Sequence, residues 1–197
     1  MLLGDYKVRK REIEERLKYF QNLDQNDIFY ELCFCLCTPQ SSAKKCDGAI
    51  KDLIKKDFRH KKFNPSIILR KNGVRFHNNK SKHLLEMKSS FGSIQNNIDC
   101  DASLTRDYLV DHVKGLGLKE SSHFLRNIGY ENLAILDRHI LKNLVKYRVI
   151  NEIPKTLSRK NYLEIEEKFR RYSEKVKIPM DHLDLLFWSF ETGEIFK

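Results

Sequence analysis

The stretch Val113-Lys114-Gly115-Leu116-Gly117-Leu118-Lys119 decides how this chain is read. Two glycines bracket one leucine, and apolar residues recur at helical spacing on both sides. Leu104, Tyr108, Leu109 and Val113 precede it; Phe124, Leu125 and Ile128 follow, closed by Gly129. The pattern predicts two helices joined by a tight turn. Glycine suits that turn because the backbone must bend sharply and lie close to a partner. Amides at the start of the second helix then face outward, and with the helix dipole they form a seat for phosphate. Lys119 falls where a sugar on a bound phosphate backbone comes within reach. A plain helix–helix turn ending in a solvated lysine accounts for the same residues.

The next landmark separates the two readings. Asp137 stands in Ala134-Ile135-Leu136-Asp137-Arg138-His139-Ile140, at the predicted N-cap of a helix through Leu144. Together these residues resemble the helix-hairpin-helix DNA glycosylases, the superfamily of endonuclease III and the 8-oxoguanine DNA glycosylases. That superfamily carries Gly-hydrophobic-Gly-x-Lys (Gly115, Gly117, Lys119), a small residue two positions on (Ser121), then hydrophobic-Asp-x-His (Leu136, Asp137, His139). The resemblance implies an all-α fold of two helical subdomains, with the helix-hairpin-helix motif and an active-site cleft between them. One subdomain would combine about 1–35 with 151–197, and the other would span about 36–150. It assigns catalysis to Lys119 and Asp137, and DNA contact to Gly115, Gly117 and His139. His139 fits an ordinary helix surface equally well.

Composition narrows the partner. Lys and Arg number 37 against 27 acidic residues, net +10, which favours a polyanion, as in ribosomal and membrane-surface proteins too. No run of about 18 apolar residues is present and the N-terminus does not read as a signal peptide, so a soluble protein of the cytoplasm, working at the nucleoid, is expected. Cys33, Cys35 and Cys37 lie in an apolar run, with Cys46 and Cys100 apart. Buried reduced thiols explain them better than metal ligands. Several relatives bind an iron–sulfur cluster through four cysteines after the catalytic aspartate. No cysteine follows Cys100 here, so neither cluster nor other metal is expected.

Along the chain, 6–20 reads as a charged outer helix and 27–36 as a core helix. The break Thr38-Pro39-Gln40-Ser41-Ser42 precedes a helix from Ser42 to about Lys56. This break resembles the superfamily loop whose glutamine enters the DNA stack opposite the lesion, a role falling on Gln40; a glutamine after proline is also an ordinary loop residue. Residues 59–62 mark a connection, 73–80 open a helix carrying Leu84, Leu85 and Met87, and 89–101 read as a loop. A charged helix is expected over 158–176. Pro179 then starts a helix with the stripe Met180, Leu183, Leu186, Phe187 and Phe190, leaving Trp188 on the other side with Asp181 and Asp184. A tryptophan so placed suits stacking on a base or packing against another domain. The ending Thr192-Gly193-Glu194-Ile195-Phe196-Lys197 resembles the archaeal-type 8-oxoguanine DNA glycosylases, in which a terminal lysine folds back into the base pocket. Matched motifs run from about Glu31 to Lys197.

The chemistry follows from these residue types. A glycosidic bond inside a duplex is reached only by extruding the nucleotide, at a cost of a few kcal/mol. Phosphate contacts offset that cost and make binding salt-dependent. A lysine attacks C1′ as the neutral amine, which burial and neighbouring cations favour. Loss of the base leaves a Schiff base, and loss of a C2′ proton then expels the 3′ phosphate by β-elimination. Asp137 stabilises positive charge on the sugar or relays a proton. Trp188 stacks on the base, and the carboxylate of Lys197 or a backbone carbonyl accepts the N7–H that only oxidised guanine offers. No cofactor is required, although hairpin carbonyls in this superfamily can hold a monovalent cation. The expected partner is double-stranded DNA containing 8-oxoguanine, met by a monomer without membrane contact. Two other functions fit the same stretch: a glycosylase for oxidised pyrimidines, and a non-catalytic DNA clamp.

Overall fold

Apolar residues at three- and four-residue intervals, punctuated by Asp, Ser and Pro, fold as helices throughout. The computed structural model describes residues 2–98 and 101–197, and among them it contains helices and no strand. In chain order these are α1 (Leu2–Gln21), α2 (Gln25–Cys37), α3 (Ala43–Lys55), α4 (Ser66–Lys71), α5 (His77–Asn96), α6 (Ala102–His112), α7 (Leu118–Arg126), α8 (Arg138–Lys146), α9 (Arg159–Val176) and α10 (Met180–Thr192). No helix among the described residues is long and apolar enough to cross a membrane.

Packing divides the chain into two units, one of Met1–Asn22 with Leu125–Lys197, the other of Leu23–Phe124. The sequence places these boundaries near 35/36 and 150/151. They fall elsewhere because α2 packs on α3 and α5, while α8 packs on α10.

In the central unit, Asp24 starts α2 by accepting the amides of Asn26 and Asp27 at 2.8 Å, three residues ahead of the expected cap. From Phe29 to Cys37 every residue of α2 is buried. Cys33, Cys35, Cys37 and Cys46 are free thiols inside this core; Cys100 lies outside the described residues. Burial pushes the Cys46 thiol up to about 11 and Cys37 higher still, so neither reacts as a thiolate. Helix α5 corrects the expectation of a loop over 89–101. It continues to Asn96, with Met87, Phe91 and Ile94 buried at helical spacing. Two of its serines are satisfied within the helix: Ser89 and Ser90 donate to the Glu86 carbonyl at 2.7 and 3.2 Å.

In the other unit α10 packs against α1, α8 and α9. It is therefore buried beyond its apolar stripe, and Asp181 and Asp184 are covered rather than facing solvent. Phe187 anchors this core, stacked on Tyr147 at 5.2 Å and on Phe169 at 5.9 Å. Asp181 Oδ2 accepts the Asn132 amide at 3.1 Å, and Asp184 Oδ2 lies 3.6 Å from Arg126 Nη2. A cavity of about 100 Å³, lined in part by Arg126, Tyr130, Asp181 and His182, adjoins the group and has room for water.

Burial outweighs the guanidinium's attraction and raises both carboxyls, Asp181 to about 6 and Asp184 to about 7. Between the unfolded value near 3.8 and those folded values the native chain holds more protons than the unfolded one. Stability must therefore fall as pH rises through that window. Asp184, whose carboxyl is raised further, contributes the larger share of the loss. Thermal unfolding from pH 4 to 8 should show the descent in the native chain and a flatter profile in Asp184→Asn. An unchanged slope would mean the carboxylate is ionised throughout.

Candidate active site

The hairpin lies in the unit Leu23–Phe124, between α6 and α7. Val113 caps α6, and the Leu116 amide closes the turn on the Val113 carbonyl at 3.1 Å. Gly115 takes φ +99°, a conformation side chains rarely adopt, and a Cβ there would collide with the His83 ring. Gly117 has no such φ, and a Cβ would meet only the Glu120 carboxylate at 3.4 Å. The sharp bend thus demands glycine at 115 alone.

The first bond of α7 is from the Ser121 amide to the Gly117 carbonyl, at 2.9 Å. The amides of Leu118, Lys119 and Glu120 precede that bond and so have no acceptor within the helix, the arrangement an anion can use. Behind this end the helix is fixed. Ser121, Ser122, His123 and Phe124 are buried, Arg106 Nη1 donates to Ser122 Oγ at 3.3 Å, and the His123 ring meets Phe34 edge-on at 5.7 Å. A rigid helix with an open N-terminus is what phosphate recognition needs.

Lys119 projects from that end with 28% of its side chain accessible, and its Nζ pairs with Glu120 Oε1 at 2.9 Å. In the sequence only its adjacency to Lys119 marks Glu120. The same unit holds Gln40, exposed and at φ +54° in the turn after α2. Lys80 of α5 holds the same turn. Its ammonium donates to the Cys37 carbonyl at 2.7 Å, the Pro39 carbonyl at 2.7 Å and Ser41 Oγ at 2.9 Å. Nothing local marks Lys80 in the sequence, since its partners lie about forty residues away.

Asp137, His139, Trp188 and Lys197 belong to the unit of Met1–Asn22 with Leu125–Lys197. Asp137 is the N-cap of α8, as its position predicts. Its Oδ1 accepts the amides of His139 and Ile140, both at 2.8 Å. Oδ2 takes no part in the cap. His139, the second residue of α8, is half-buried, with Nε2 3.3 Å from Arg138 Nε. Helix α8 is tied to α10 by Asn143 Nδ2, which donates to the Phe187 carbonyl at 3.3 Å. Trp188, half-buried on α10, stacks on Phe196 at 6.0 Å and 26°. Gly193 at φ +86° reverses the chain, its carbonyl accepts Arg9 Nη2 at 3.1 Å, and Ile195 is buried. The last residues are thereby held beside Trp188. Among the described residues no group of three or more His, Cys, Asp or Glu is placed to hold a metal ion.

The family model described as 8-oxoguanine DNA glycosylase matches residues 9–178. A Fusobacterium nucleatum protein named 8-oxoguanine DNA glycosylase/AP lyase is 48% identical over 204 residues, spanning 98% of this chain and 94% of that protein. The crystal structure of the 8-oxoguanine DNA glycosylase of Thermotoga maritima matches with a TM-score of 0.90 at 34% identity, covering 100% of this chain and 96% of that one. A Methanocaldococcus jannaschii 8-oxoguanine glycosylase/lyase, solved in complex with a 15mer DNA containing 8-oxoguanine, matches at 0.87 with 33% identity over 100% of both chains.

Proposed function

The chain belongs to the 8-oxoguanine DNA glycosylase family, and on that premise we propose that it is a bifunctional repair enzyme, a DNA glycosylase and abasic-site lyase acting on 8-oxoguanine in duplex DNA. The observation that carries the reading is an accessible lysine amine at the open N-terminus of a rigid hairpin helix. Hairpin amides take a backbone phosphate, with Gly115 and Gly117 letting the strand approach, and His139 meets another. Gln40 enters the stack as the damaged nucleotide leaves it. Lys119 Nζ attacks C1′, the C1′–N9 bond breaks, and the electron pair departs with the base. Asp137 stabilises the positive charge on the sugar. Ring opening gives the Schiff base; removal of a C2′ proton then breaks the bond to the 3′ phosphate and nicks the strand.

Trp188 stacks on the extruded base and Lys197 lies at its edge, where its carboxylate or a backbone carbonyl accepts N7–H. Ordinary guanine, with no such proton, leaves that acceptor unpaired, at a cost of roughly 1–3 kcal/mol. The net charge of +10 suits a monomer working on chromosomal DNA in the cytoplasm. No cofactor enters this chemistry; a monovalent cation on the turn carbonyls would be structural.

Borohydride trapping across a lesion panel tests the reading. Duplexes bearing 8-oxoguanine should give a covalent adduct and a nicked strand; undamaged and thymine-glycol duplexes should give neither. Preferential trapping on thymine glycol would move the substrate to oxidised pyrimidines, and no trapping on any duplex would leave a clamp.

A further inference from the structure

The turn carrying Gln40 is held from beneath by a buried cation. Lys80 is 5% exposed, and each of its three acceptors belongs to residues 37–41: two carbonyls and one hydroxyl. None is a carboxylate, so burial is opposed only by hydrogen bonds, and it lowers the amine's pKa from the ordinary lysine value. Such an arrangement lasts only where every ammonium proton is satisfied, as here. The acceptors at Pro39 and Ser41 flank Gln40. Ser41 Oγ also accepts the Arg75 amide at 3.0 Å, and the Ser41 amide returns to the Thr38 carbonyl at 2.9 Å. Between these fixed points Gln40 is held at φ +54°, a conformation non-glycine residues adopt only when their surroundings impose it.

We propose that Lys80 is a positioning residue for base extrusion, a three-point clamp that keeps the 38–41 turn rigid so that Gln40 enters the DNA stack in one conformation. The proposal rests on the reading of Gln40 given above. Its physical content is mechanical. A side chain filling the space of an extruded nucleotide must resist re-entry of the base, and a turn free to relax gives way instead. The clamp therefore matters where unpairing and unstacking must be driven, and little where the lesion is already unpaired.

The test compares 8-oxoguanine in a fully paired duplex with the same lesion in a three-base bubble flanked by the same duplex arms. Lys80→Met should lower kcat/KM on the paired substrate about tenfold, with bubble turnover within about twofold of the native chain. In Gln40→Ala the paired substrate should likewise suffer selectively, and Gln40→Ala/Lys80→Met should be no worse than Gln40→Ala alone, because the clamp acts through that side chain. Circular dichroism and thermal melting identify a merely unfolded variant; in a folded one, bubble turnover reports whether Lys119 is correctly placed. Should Lys80→Met not fold, Ser41→Ala, which removes one acceptor, should show the same selectivity in smaller degree. Equal losses on the two substrates in folded Lys80→Met, or in Ser41→Ala where it replaces it, overturn the proposal, as do additive losses in the double variant. If Gln40→Ala leaves paired turnover unchanged, the reading of Gln40 itself falls, a result distinguishable from failure of the clamp alone.

Discussion

Lys119→Ala is expected to give no borohydride-trapped adduct with 8-oxoguanine duplex, and to nick it at least about 10³-fold more slowly than the native chain. The alanine variant has no amine at this position to form the Schiff base, and without that intermediate C2′ is not acidic enough to lose its proton. Structure bears on the design of the experiment. Nζ is paired with Glu120 Oε1, so the carboxylate must release it before attack. The lysine is partly exposed but the glutamate is mostly covered, at 28% and 13% of the side chains, so the loss leaves a largely buried carboxylate at a cost of about 1–3 kcal/mol, within the margin of a folded domain. Fold and DNA affinity should therefore survive the substitution. Hairpin amides and most of the net +10 charge remain, and the salt dependence of binding should change by no more than the share of one lysine. Intact binding with no adduct separates a lost nucleophile from a lost clamp. Trapping that persists in Lys119→Ala would move the chemistry to another amine.

How far these roles are legible from residue order depends on the range of the interaction behind them. Asp137 and Ser158 announce their helices because an N-cap binds amides two or three residues away. The hairpin is legible for the same reason: its turn and the free amides of α7 are set within about ten residues. Where the partner is distant, the local pattern misleads. Ser89 and Ser90 look like loop residues, yet the helix runs through them because Phe91 packs edge-on against Phe29 of α2 and Ile94 is buried. Asp181 and Asp184 mark a polar face by spacing alone, and only the packing of α1, α8 and α9 on α10 covers them. Lys80 is the extreme case. As a sequence symbol it is one of 37 cations; its function as an anchor depends on carbonyls at Cys37 and Pro39.

Asp137→Asn should slow release of 8-oxoguanine by about 10²–10⁴-fold while sparing both the fold and trapping on a preformed abasic site. The expectation rests on how the carboxylate divides its work. Oδ1 alone caps α8, through the amides of His139 and Ile140, and an asparagine oxygen caps as well as an aspartate one. The substitution removes only the charge beside a helix N-terminus, worth about 0.3–1 kcal/mol there, so the melting temperature should move by no more than about 4 °C. Chemistry is different. As the C1′–N9 bond lengthens, positive charge grows on the sugar, and a neutral amide offers it no compensating anion. An abasic site has already lost its base and skips that step, so Lys119 can still close a Schiff base on it. Equal slowing on the lesion and on the abasic site would mean that Asp137 serves Lys119 directly rather than the departing base. A full rate on the lesion would remove Asp137 from the mechanism and leave it as the cap of α8.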